Sequence, residues 1–116
     1  LSGATLSGLA STTQLSVGSD QVSTVSGMIF GYCTIPSTAL TASTTTYANC
    51  TGATGVTSSY RVFVQATSSM ATQVLIQAAS STVTTGTINV LLYDTGIATT
   101  TAGGISPTSI NFWAVR

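Results

Sequence analysis

Five short runs whose apolar residues recur at every second position shape this chain, and that period belongs to strands. In TINVLLY, Ile88, Val90 and Leu92 share one face, while Asn89, Leu91 and Tyr93 share the other. In YRVFVQ, Tyr60, Val62 and Val64 face together, with Arg61, Phe63 and Gln65 opposite. QVLIQA places Val74, Ile76 and Ala78 on a single face, and MIFGYCTI and INFWAVR read the same way. Successive side chains of a pleated strand point to opposite sides, so each run presents two distinct faces. Helix signals are nearly absent: there is no Glu or Lys, whereas the strand-favouring Thr, Val and Ile are plentiful.

Turn clusters separate the runs: PSTALTAS, TGATGVTSS, ATSSMAT, SSTVTTG and DTGIATTTAGGISP. Strands spaced in this way predict an all-β fold, an antiparallel β-sandwich of jelly-roll-like form over residues 28–116. A chain of 116 residues makes one domain. Several strands are apolar on both faces, which predicts cover for the second face by a neighbouring subunit. Residues 1–27 differ, with isolated Leu and Val among Gly and Ser and a small echo, LSGATL then LSGLA. They read as an extended arm. Too few apolar groups are present to offset an ordering cost of about 1–2 kcal/mol per backbone residue. The arm is therefore expected to order only on a partner surface, through Leu1, Leu6, Leu9, Leu15 and Val17 and through strand-edge hydrogen bonds.

Charge excludes several functions. The chain carries two Arg and two Asp and no His, so 3% of its residues are charged, against about 25% in an ordinary domain. Its polarity comes from hydroxyls, 41 Ser and Thr in all. Arg61 and Arg116 alone cannot neutralise the phosphates of a nucleic acid or hold an anionic lipid surface. No apolar stretch approaches the ~20 residues of a spanning helix. Neither nucleic acid nor membrane is expected as a partner. A net charge of zero favours association with copies of the same chain. Leu1 is expected to follow a cleavage or the boundary of a longer chain.

Catalytic chemistry is poorly supplied. Asp94-Thr95-Gly96 after Val90-Leu91-Leu92-Tyr93 matches the aspartic-protease loop, in which facing carboxylates share a proton. Only twenty residues follow Gly96, too few for the flaps and second apolar-Gly motif of a retroviral-type enzyme. Asp-Thr-Gly is also good turn chemistry, and that is the preferred reading. No His or Lys is available as a base for a serine nucleophile. Two Cys with two Asp match no zinc spacing, and loop aspartates such as Asp20 and Asp94 are more often turn residues than calcium ligands. No catalytic residue, metal site or cofactor is expected. Tyr32, Tyr47, Tyr60, Tyr93 and Trp113 could stack on a sugar, but strand aromatics more often belong to a core or interface.

Cys33 and Cys50 flank PSTALTAS. A hairpin centred near Leu40 and Thr41 would set them opposite each other, at the ~4.5–5.5 Å Cα separation that a disulfide accepts. The alternative is two buried free thiols. Asn49-Cys50-Thr51 has the form of a glycosylation sequon, a weak one with Cys at its centre.

NCTGATGVTSSYRVFVQATSS, VLIQAASSTVTTGTINVLLYDTG and the closing INFWAVR resemble a β-sandwich domain common in tailed-bacteriophage virion proteins. The similarity runs from Tyr47 to Arg116. Where that family often carries Asn in its Leu-Tyr-Asn/Asp-Thr-Gly-like turn, this chain has Asp94, in keeping with a turn role. The resemblance implies a non-enzymatic structural protein at the virion surface, in capsid decoration or at a fibre or spike tip. It also implies that INFWAVR is the final strand, with Phe112 or Trp113 buried against the core or a neighbouring subunit. Expected partners are copies of itself, as a homotrimer, and capsid or tail subunits. Two other classes stay open: a module binding carbohydrate or a host-surface glycan receptor, and a secreted pilus or surface-layer subunit.

Overall fold

The computed structural model describes residues 15–16, 24–67, 73–96 and 105–116. Its strands are β1 (Leu15–Ser16), β2 (Thr24–Val25), β3 (Met28–Ile35), β4 (Thr45–Thr51), β5 (Arg61–Ala66), β6 (Val74–Ser81), β7 (Thr87–Asp94) and β8 (Thr108–Val115). The fold is all-β, and every ladder is antiparallel. Six strands form one sheet in the order β5-β8-β3-β4-β7-β6, and β1 pairs with β2 in a separate two-stranded ladder.

That arrangement differs from the expected sandwich, in which two separate sheets pack face to face. Here β3 and β4 are joined at a single register pair, Thr34 with Thr51, near the C-terminal end of each strand. The connection between them does not close a tight hairpin: Thr38 pairs with Ile105, and Leu40 turns into the core. The halves β5-β8-β3 and β4-β7-β6 are therefore staggered along the strand direction. Stagger of this kind is what a sheet needs in order to curl on itself. At its far edges β5 and β6 come into contact without a ladder, giving a nearly closed barrel.

Alternation decides what fills it. Ile110, Phe112 and Ala114 of β8, Ile88, Val90 and Leu92 of β7, Cys33 and Ile35 of β3, and Ala48 and Cys50 of β4 point inward and are buried in one cluster. Val62 and Val64 of β5 pack against it. In β6 the expected face holds for Val74 and Ile76 but not for Ala78. A bulge between Ile76 and Ala78 shifts the register, so Ala79 turns inward and Ala78 is exposed. One extra residue in a strand exchanges the faces of everything after it. Ala53 and Val56, from the connection between β4 and β5, are also fully buried.

The closing run INFWAVR lies in β8, between β5 and β3, paired on both edges. Phe112 is buried, whereas Trp113 points outward. The chain end is tied as well. Arg116 donates its backbone N–H to Gly27 O at 3.0 Å, and its carbonyl accepts from Ser26 N and Gly27 N. Its guanidinium lies 5.3 Å from the centroid of the Tyr60 ring, a cation–π contact. Of the residues expected to make arm contacts, Leu1, Leu6, Leu9 and Val17 lie outside the described residues. Leu15 pairs with Val25 in the β1–β2 ladder.

Candidate functional site

Outward positions of β5, β8 and β3 fall into rows across three strands. Register sets Phe63 beside Trp113 and Trp113 beside Phe30. The next row holds Gln65, Asn111 and Tyr32, and the row on the other side holds Arg61, Val115 and Met28. The Trp113 ring centroid is 5.6 Å from that of Phe30, with the planes within 10° of parallel, and 5.6 Å from that of Phe63, tilted by 38°. Contacts of this length are favourable aromatic pairs. Each ring therefore holds its neighbours in place while one side of the row stays open to solvent. Phe30, Tyr32 and Phe63 are more than half exposed and Trp113 is 43% exposed. A groove of about 560 Å³ is lined by the residues of these two rows together with Gly31, Val64 and Phe112. Among the described residues, the Gln65 and Asn111 amides and the Tyr32 hydroxyl have no hydrogen-bond partner.

The other half of the sheet carries a different surface. Leu75 of β6 pairs with Tyr93 of β7, which in turn pairs with Thr45 of β4. In the adjoining row, Ala78, Leu91 and Tyr47 are neighbours. Leu75 and Tyr47 are well exposed, and Leu91 and Tyr93 are half-buried. The sequence-derived set of possible sugar-stacking residues is thus split: Tyr32 and Trp113 share one surface, Tyr47 and Tyr93 another, and Tyr60 lies beneath Arg116. Phe30 and Phe63 were missing from that set although they flank Trp113. Alternation separates the two faces of their strands, but neither the outward face nor their adjacency to a residue near the chain end follows from it.

Asp94 sits at the end of β7 and is 5% exposed. Its Oδ1 accepts the Gly96 N–H at 2.8 Å, and its backbone accepts from Ser43 N and donates to Thr44 O. The carboxylate is thus directed into its own turn, the geometry of an Asx turn. A Cβ at Gly96 would come within 2.9 Å of that same oxygen, which explains the glycine. Asp94→Ala is expected to cost about 1–3 kcal/mol, because the buried Gly96 N–H loses its acceptor. Asp94→Asn keeps an oxygen there and should stay within about 0.5 kcal/mol of the parent. Urea denaturation of the two variants checks this.

Cys33 and Cys50 form a disulfide with a Cα separation of 5.4 Å. The pairing is the expected one, but its geometry is not that of a facing hairpin pair. With Thr34 opposite Thr51, the two cysteines are offset by two positions, and both point into the core where the halves of the sheet join.

Comparison of the chain with protein-family models, with curated proteins and with solved structures finds no match.

Proposed function

We propose that this chain is a non-enzymatic structural component of a bacteriophage virion surface, in capsid decoration or in a fibre or spike knob, acting by self-association. The observation that carries the self-association is the apolar surface of the β4-β7-β6 half, where Leu75 and Tyr47 stand exposed beside Leu91, Tyr93 and Ala78. No charged side chain lies in those two rows, and the whole chain has a net charge of zero. An uncharged apolar patch on a strand-built surface is suited to burial against a copy of itself. A homotrimer is the assembly that the phage-domain resemblance suggests. Residues 1–27 would anchor it to capsid or tail subunits, outside the cell. The Cys33–Cys50 bridge is in keeping with an oxidising setting of that kind.

Light scattering at micromolar concentration is expected to give a mass several times that of one chain. Leu75→Asp should reduce that mass toward the monomer without loss of the β-sheet circular-dichroism signal, because a charge at the patch opposes burial. A parent protein that stays monomeric, or an assembly indifferent to Leu75→Asp, contradicts the proposed interface. Detection of the polypeptide in purified virions by mass spectrometry tests the placement.

A further inference from the structure

We infer that the groove over β5, β8 and β3 is a binding site for a neutral oligosaccharide, with the Phe63–Trp113–Phe30 row as its floor. This goes beyond the structural role proposed above and does not depend on it, since that role uses the other half of the sheet.

The chemistry of the two rows carries the inference. A pyranose has a face of C–H groups and a rim of hydroxyls. The aromatic row offers exposed ring surface in fixed positions, because Trp113 is held between Phe30 and Phe63 at 5.6 Å from each. The neighbouring row offers two carboxamides and a phenol, Gln65, Asn111 and Tyr32. A carboxamide donates and accepts at once, as neighbouring sugar hydroxyls require. At about 560 Å³ the groove has the size of small-ligand sites, which typically run ~300–1,000 Å³. The combination of apolar floor and a few convergent polar groups is the usual make-up of such sites.

The same groups argue against a second copy of the chain as occupant. Covering this face with an apolar protein surface would bury the two amides and the phenol without partners, each at a desolvation cost. Sugar hydroxyls would pair with them instead. Neutrality follows from the lining, which contains no Asp, Glu, Lys or Arg. Arg61 is the sole charged side chain on these strands and stands in the row beyond the rings.

The test uses the full chain on an array of neutral hexose and N-acetylhexosamine oligosaccharides, with acidic glycans alongside. The strongest neutral binder is then titrated calorimetrically. Trp113→Ala should weaken that binding by about tenfold or more. Asn111→Ala, which leaves the aromatic row intact, should weaken it severalfold, and Leu75→Asp should leave it unchanged. Melting curves establish that each variant is folded. Absence of binding to any neutral glycan overturns the inference, as does preference for acidic glycans alone. It is equally overturned if Asn111→Ala and Trp113→Ala both bind like the parent, or if Trp113→Ala alters the assembled mass instead of glycan affinity.

Discussion

Unfolding in the presence of reductant is expected to show the protein less stable by about 3 kcal/mol, the chain-entropy value for a loop of this size. Cys33 and Cys50 are separated by 17 positions in sequence. Their bridge crosses the fold where it is otherwise least connected, since β3 and β4 share only the Thr34–Thr51 register pair. The bridge thus restricts the unfolded chain and holds the two halves of the sheet at their junction. Both cysteines are buried, at 1% and 0% exposure, so reductant reaches them on opening rather than in the native state. The comparison therefore needs reductant present throughout the denaturant series. A shift of this size should lower Tm by on the order of 10 °C. Thiol labelling in denaturant without reductant should find no free cysteine. Two labelled thiols per chain, or a midpoint insensitive to reductant, would contradict the expectation.

The pairing of these cysteines was legible because they flank one turn-rich segment, PSTALTAS, close in sequence, but the register was not. Reading 36–44 as a simple hairpin assumes that the connection stays out of the core. Leu40 and the Thr38–Ile105 bridge draw it inward instead. Alternation grouped Ile88, Val90 and Leu92 on one face of β7, and that face is buried because the strand is regular from end to end. For INFWAVR it left open whether Phe112 or Trp113 turns inward, and Phe112 does. Alternation misplaced Ala78 because a bulge leaves no mark in a string of small and polar residues. The groove shows the deeper limit. Local period separates the two faces of the strands that carry Phe30, Phe63 and Trp113, without telling which face turns outward. What makes them one surface is the order β5-β8-β3, set by pairing between residues far apart in the chain. A two-residue period determines which side chains share a face, and only the fold determines what stands next to them.

Phe112→Ala should be the most damaging single substitution in β8, costing about 3–5 kcal/mol, while the adjacent Trp113→Ala stays within about 1 kcal/mol. Phe112 is 5% exposed, between Gly31 of β3 and Val64 of β5 on the inward face. Its ring lies over Gly31: a Cβ there would stand 3.2 Å from both Cε1 and Cζ. The missing side chain on β3 is thus filled by an aromatic ring from the neighbouring strand, a known way of protecting glycine in a sheet. Removing the ring leaves a cavity and exposes the glycine backbone at once. Trp113 is one residue away but lies across the pleat, with part of its surface already in solvent. Its loss removes ring contacts without opening the core. In the Phe112→Ala background, Gly31→Ala should recover part of the loss, since the added methyl occupies space vacated by the ring. A double-mutant cycle from denaturation midpoints measures that coupling. Equal losses for Phe112→Ala and Trp113→Ala would mean that β8 does not divide its residues between core and groove as its alternation indicates.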